Sequence, residues 1–362
     1  MKRTLVMIPC IALFCAILAS GAPVFELAQT LSGSWSVRSA ALADLDMDGD
    51  PDLVAFCFRG ACFVAWNVGT GHFSAPDTSQ ELGSFAHGVA EDFDGNGTPD
   101  IFVAGHRGSR EVWLNDGHGV FSIRQPPRGR GTSSIATGDV DRDGDLDVVI
   151  GTVSGRNQLL LNDGSGRFDQ EDLPGSGDTA NGVELADFDG DADLDVVLGL
   201  FSVPNTICMN RGSEGFEALV GVLGSTRDAI AISSGDFDSD GDTDLFLGNH
   251  EGADTVWIND GSGVFIDSGQ RLSRGWSYGS QAADADGDGD LDLFVAGGNV
   301  ADSVWLNNGH GVFTQSSVRF RNNQGVYVQV GDLDSDSDVD VIFCHDAGTT
   351  PTCKIYVWLN NG

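Results

Sequence analysis

The residues predict an all-β chain, a β-propeller of seven four-stranded blades around a central axis. An acidic nonapeptide recurs seven times at an even period. Each copy leads into a short apolar run and then a second signature, about 21 residues from its start, that in five copies holds an Asn-Asp-Gly or Asn-Asn-Gly hairpin turn. No segment carries sustained helical periodicity.

The nonapeptides begin at Asp44, Asp92, Asp139, Asp187, Asp236, Asp284 and Asp332, spaced by 47 to 49 residues. Four short strands in such a period make one blade. In order, a period reads first strand, acidic loop, second strand, turn, third strand, Gly-rich turn, fourth strand. Second strands follow the loops as runs such as Val148-Val149-Ile150 and Leu293-Phe294-Val295. Third strands end in the turn signature, fullest as Trp113 to Phe121. Trp113, Trp257, Trp305 and Trp358 share one repeat slot with Ala65, Leu160 and Cys208, which reads as packing between blades.

The last copy stops at Asn360-Asn361-Gly362, before its fourth strand. The missing piece stands near the start, where Phe25 matches Phe121 and Phe313. The N-terminal strand is therefore expected to pair with the strand around Tyr356 to Leu359 and complete blade seven. Closing the ring removes exposed sheet edges. Residues 22–362 then form a single domain. Residues 1–21 read as a secretory signal: Lys2 and Arg3, an apolar run from Ile8 to Leu18, and small residues at Ala19-Ser20-Gly21. A secreted, extracellular (or cell-surface or periplasmic) location is expected, with no membrane span in the mature chain.

The charge excludes some partners. Nineteen Lys+Arg face 54 Asp+Glu, a net −35, which repels nucleic acid and anionic membranes. Of the acidic residues, 33 lie inside the seven nonapeptides. Five like charges in nine residues repel unless a cation neutralises them. Carboxylates at positions 1, 3 and 5, a carbonyl at 7 and a carboxylate at 9 make an oxygen cage suited to Ca2+. An EF-hand is excluded, because position 12 is Ile150 in the fullest loop and no helices flank it.

The expected ligands are Asp44, Asp46, Asp48 and Asp52; Asp92, Asp94, Asn96 and Asp100; Asp139, Asp141, Asp143 and Asp147; Asp187, Asp189, Asp191 and Asp195; Asp236, Asp238, Asp240 and Asp244; Asp284, Asp286, Asp288 and Asp292; and Asp332, Asp334, Asp336 and Asp340. Up to seven Ca2+ are expected. Weaker binding is expected in repeats two, four and seven. Repeat two has Asn96 at position 5 and Thr98 at 7, and repeats four and seven have Ala192 and Ser337 where the others have Gly. If position 6 needs positive φ, a Cβ there costs about 1 kcal/mol.

These nonapeptides, followed by strands such as Asp-Val-Val-Ile-Gly and Asp-Leu-Phe-Leu-Gly, resemble the FG-GAP (VCBS-type) repeats, related to the integrin α-subunit propeller. The resemblance covers essentially the whole mature chain. It implies a seven-bladed propeller with Ca2+ between the first two strands of a blade, and a role in adhesion or ligand binding. An acidic loop in every repeat departs from the integrin pattern.

In such blades all the acidic loops share one face. Most basic residues are then expected on the other, with Arg128, Arg130, Arg227, Arg274 and Arg321 nearest the axis beside Trp35, Phe85 and Trp276. Arg reads anionic groups bidentately and Trp stacks on rings. Arg128, Arg130, Arg274, Trp276 and Arg321 are the expected ligand-binding residues for an extracellular protein or glycan. Cys57 with Cys62, and Cys344 with Cys353, flank short turns and are candidate disulfides in an exported chain. Cys208 reads as a buried thiol.

No catalytic residues are expected. Gly275-Trp276-Ser277-Tyr278-Gly279 matches Gly-x-Ser-x-Gly but lacks the strand–turn–helix context of a nucleophile elbow. His106 and His250, equivalent positions of repeats two and five, read as surface loop residues. The function expected is a Ca2+-stabilised binding or adhesion module, not an enzyme. The alternatives are a polysaccharide lyase or hydrolase on a propeller scaffold, and a purely structural extracellular scaffold.

Overall fold

The computed structural model describes residues 22–78, 83–175, 177–224, 228–320, 324–346 and 353–362. The expected signal segment, Arg227 and Arg321 lie outside these. Seven antiparallel sheets form a propeller, each sheet running from its first strand inside to its fourth outside. The first strands are Ser36–Ala43, His87–Glu91, Thr132–Gly138, Ala180–Ala186, Ala229–Gly235, Ser277–Ala283 and Gly325–Gly331. They ring the axis and touch their neighbours. Ser133 Oγ donates to the Ala180 carbonyl (2.7 Å), Ser233 and Ser280 hydroxyls meet at 2.7 Å, and the Val330 amide donates to Gln281 Oε1 (2.9 Å).

The second strands explain why the runs after the loops read as unbroken apolar stretches. Asp147–Thr152 and Asp292–Gly297 are buried along their whole length, because neighbouring blades cover both faces. Trp113, Trp257, Trp358, Leu160, Cys208 and Ala65 are all buried between blades.

The ring closes as expected. Phe25–Gly33 pairs antiparallel with Cys353–Asn360, and Phe25 lies opposite Asn360. The same register places Phe121 opposite Asn115 and Phe168 opposite Asn162. Blade one departs from the four-stranded pattern. It has the strands Ser36–Ala43, Asp52–Arg59 and Phe63–Ala65, and two isolated bridges, Val64 to Asp77 and Asn67 to Phe73, stand for the fourth. Pro76 cannot donate to a ladder, which accounts for the interruption.

The two expected disulfides are not formed; all five described cysteines are free, buried thiols. Neither pair is directly opposed. On the turn side Ala55 pairs with Phe63, so the register places Cys62 opposite Phe56 rather than Cys57, and Cys344 faces Ile355. The Cys57 amide instead donates to Cys62 Sγ (3.2 Å), and Cys353 Sγ donates to the His345 carbonyl (2.7 Å). Cys208 is buried as expected, and burial pushes its thiol up to about 12.

Candidate metal loops and the opposite face

Each acidic loop is wound on its own aspartates. The position 1 carboxylate accepts the position 6 amide, as Asp44 does from Gly49 (2.9 Å) and Asp284 from Gly289 (2.9 Å). The position 5 side chain accepts the position 7 amide, as Asp143 does from Asp145 (3.0 Å). This winding needs left-handed backbone twice. Position 6 has positive φ in all seven loops, and so does position 4: Met47, Gly95, Arg142, Gly190, Ser239, Gly287 and Ser335. Position 6 was expected from the sequence; position 4 was not. Counting both, loops two and six carry no Cβ at a left-handed position. Loop seven carries two, at Ser335 and Ser337.

The aspartates at position 9 do something the spacing did not suggest. Asp147 is fully buried and accepts two amides, from Val140 (2.9 Å) and Asn162 (2.8 Å). Asp52, Asp100, Asp195, Asp244, Asp292 and Asp340 repeat the arrangement, each on the position 2 amide and on the amide of the Asn that ends the third strand. Their first role is therefore to brace the loop against its own blade. Burial pushes them up to about 6 or 7.

The Asn partners link the blades. Asn115 Nδ2 donates to the Leu45 carbonyl of blade one (2.8 Å), and Asn162 to Phe93 of blade two (2.9 Å). Asn210, Asn259, Asn307 and Asn360 reach back in the same way to Val140, Phe188, Phe237 and Ala285. Asn67 closes the circle on Leu333 of blade seven (2.9 Å). Seven amides thus form an unbroken ring of inter-blade hydrogen bonds. In the sequence these residues read only as turn formers.

The carboxylates of each loop, position 9 included in some, also converge. One oxygen each from Asp44, Asp46 and Asp48 lies within 4.8 Å of the others, and the same holds for Asp92, Asp94 and Asp100; Asp139, Asp141 and Asp147; Asp187, Asp189 and Asp195; and Asp236, Asp238 and Asp240. Position 3 is the least satisfied. Oδ1 of Asp46, Asp94, Asp189, Asp238 and Asp334 is buried without a hydrogen-bond partner among the described residues. Burial first, then the neighbouring carboxylates, raises the pKa of Asp46, Asp238 and Asp334. Buried oxygens without donors, gathered on one point, fit a hard divalent cation. Loop two spends Asn96 Oδ1 on the Thr98 amide and hydroxyl (2.7 and 2.6 Å). In loop four Arg211 pairs with Asp189 (2.5 Å) and Arg142 with Asp193 (2.7 Å), so cations of the chain itself compete there.

On the opposite face the expected ligand residues separate. Arg128 and Arg274 are exposed but away from the channel wall, and Arg130 is tied to Asp172 (2.5 Å). Trp35 and Phe85 are packing residues, against Phe63 and Trp113 respectively. Trp276 is exposed as expected and stacks on His250 (4.8 Å, 17°).

The axial channel, about 1020 Å³, is lined instead by Arg38, Phe58, His87, His106, Phe201, His250 and Tyr278, among others. Arg38 escaped the sequence reading because it lies inside a first strand, not in a connecting loop. His106 and His250 lie in loops, as expected, and both line the channel. Ser277 is fully buried on a strand and donates to Asp254 (2.7 Å).

Fold and loops together define a propeller in which every blade presents an Asp-rich turn on one face. The family model of FG-GAP-like repeats matches residues 92–150, 139–198, 236–295 and 284–343, more than half of the sequence, and the chain belongs to that family. No curated protein sequence matches it. Among solved structures it is similar to the BP39L lectin from Burkholderia pseudomallei (TM-score 0.67, 16% identity, covering 91% of this chain and 98% of the lectin). It is also similar to BBS1N, solved in complex with ARL6DN (TM-score 0.63, 12% identity, 94% and 97% covered). At these identities the likeness is one of fold. No helix among the described residues is long and apolar enough to cross a membrane.

Proposed function

We propose that the protein is an exported Ca2+-binding propeller that acts as a binding or adhesion module for an extracellular protein or glycan. The acidic loops hold structural Ca2+, and the opposite face meets the ligand. The observation that carries the metal is the set of buried position 3 oxygens without partners, in Asp46, Asp94, Asp189, Asp238 and Asp334. Asp44, Asp92, Asp139, Asp187, Asp236, Asp284 and Asp332, with the carboxylates at positions 3 and 5, would hold the ion, and position 9 would contribute through its braced oxygen. The ion would neutralise charge and cross-link the loop; it supplies no chemistry to a substrate.

Sites fill at about 10⁻⁴–10⁻³ M in extracellular modules, and each adds about 2.7 kcal/mol at a hundredfold excess over Kd. Binding rather than turnover is supported by the burial of Ser277. The test is a glycan and protein array probed with and without Ca2+, together with elemental analysis of native material. Ca2+-dependent capture with bound calcium is expected. Calcium-free native protein with unchanged capture would overturn the reading.

A further inference from the structure

The exposed aromatic side chains of this protein are not scattered. Among the exposed large hydrophobic residues described, the aromatic ones are Phe58, Phe201 and Trp276, and each lies at the end of a second strand, just after one, or just before a first strand on the face opposite the acidic loops. Phe58 and Phe201 line the axial channel, and Trp276 stacks on the lining His250, whose ring also lies 6.0 Å from Tyr278. The Trp276 amide donates to Asn299 Oδ1 (2.7 Å), which anchors the platform. Exposed aromatics gathered at one opening would gain free energy if a ligand covered them, which is the usual mark of a recognition surface.

Arg38 stands in the same opening, its guanidinium 5.8 Å from the centre of the Phe58 ring. It makes no ion pair or hydrogen bond with a described residue. By contrast, Arg110, Arg130, Arg142, Arg211 and Arg271 are all bonded. His87 nearby is held neutral, its pKa lowered to about 3 by burial and then by Arg38. The carboxylate of the channel, Glu184, lies further along its strand towards the acidic loops and accepts from Ser234 Oγ (2.8 Å). Arg38 is therefore the fixed positive charge of the opening in a chain of net −35. Ser133, Thr179 and Asn181 add hydroxyl and amide groups to the wall. The volume lies at the top of the usual range for small-ligand sites.

We propose that the axial opening binds an acidic saccharide, with the sugar ring against the Trp276–His250–Tyr278 wall and the carboxylate on Arg38. A planar guanidinium takes a carboxylate bidentately, and the aromatic faces take the C–H face of a pyranose. This rests on the binding-module reading and names the ligand class and place within it.

The probes are a galacturonic acid trisaccharide and its neutral galactose counterpart, titrated calorimetrically into the Ca2+-loaded protein. The acidic probe should bind, with the neutral one at least about tenfold weaker. Arg38→Gln should erase the difference between the two. Trp276→Ala should weaken both by about tenfold. Arg128→Ala with Arg274→Ala, away from the opening, should leave both unchanged. Undiminished binding in Arg38→Gln and Trp276→Ala would move the site elsewhere and leave the module reading standing. No acidic-probe binding at millimolar concentration overturns the saccharide assignment, whereas the array described above judges the module itself.

Discussion

Asn307 and Asn308 are adjacent, chemically identical, and set in different surroundings, so one substitution made at each isolates the inter-blade ring. Asn307 is buried; its Nδ2 donates to the Phe237 carbonyl of blade five (2.8 Å) and to Leu291 (3.2 Å), and its Oδ1 accepts the Asn308 amide (2.9 Å). Asn308 is exposed, and its Oδ1 caps the His310 amide (3.1 Å), a task an Asp performs at Asp116, Asp163 and Asp260. Asn308→Asp should therefore cost less than about 0.5 kcal/mol.

Asn307→Asp replaces two donors by an acceptor aimed at two buried carbonyls. Two lost hydrogen bonds cost about 2 kcal/mol, and the unsatisfied carbonyls and charge add to that, for a total of about 3–5 kcal/mol. Against a stability of about 5–15 kcal/mol this is a large fraction. Urea unfolding at fixed Ca2+ measures both variants, and both change net charge equally. Equal midpoints for the two, or an Asn307→Asp midpoint matching the parent, would refute the ring as an energetic element.

Other consequences are as direct. Chelation should lower the melting temperature and excess Ca2+ restore it; an unchanged melting curve on stripping would contradict metal in the loops. Ala192→Gly, at a left-handed position of loop four, should stabilise by about 1 kcal/mol, and Ser335→Gly with Ser337→Gly should add about twice that, read by urea midpoints. Gly287→Ala should destabilise by a similar amount. Asp254 is pushed up to about 7 by burial, so it favours folding while protonated and loses that contribution as pH rises from about 4 through 7. Asp254→Asn keeps the acceptor that Asn157 and Asn205 supply to the matching amides of blades three and four. It should match the parent near pH 4 and exceed it by at most about 4 kcal/mol near pH 8; a difference independent of pH would refute the buried carboxylate as the cause.

The ring of seven blades was legible because three separate signals repeat at one period: loop, apolar run and turn. Closure was legible from Phe25, whose slot could be matched to Phe121 without coordinates. The loops were legible as a cage but only half understood. Alternation of Asp at odd positions does not distinguish a carboxylate aimed at an ion from one aimed at backbone amides, and burial sends Asp147 and its equivalents to the second task. The Asn ring was invisible for a related reason. Asn is common in turns, and its reach into the preceding blade depends on how sheets pack, which no local pattern encodes. The same limit hid Arg38 and promoted Arg130. Proximity to the axis depends on which residues of a first strand face the channel, and on whether a neighbour such as Asp172 captures the loop arginine.

The Asn ring and the acidic loops together set the two faces apart. The position 2 carbonyl that Asn115 grips, Leu45, lies inside the same loop whose carboxylates converge on one point. Each loop is thus fixed from three sides: by its own position 9 aspartate, by the next blade's Asn, and by the proposed ion. A ligand contact made there would have to compete with all three. The connections on the other face repeat bonds of their own in blades three to six, where the Thr152, Leu200, Asn249 and Gly297 amides donate to Asn157, Asn205, Asp254 and Asp302, but the exposed residues beside them vary, with Phe58, His106, Phe201 and His250 at corresponding ends of second strands. Variation is what recognition requires, and it is concentrated on the face that carries neither the Asn ring nor the acidic loops.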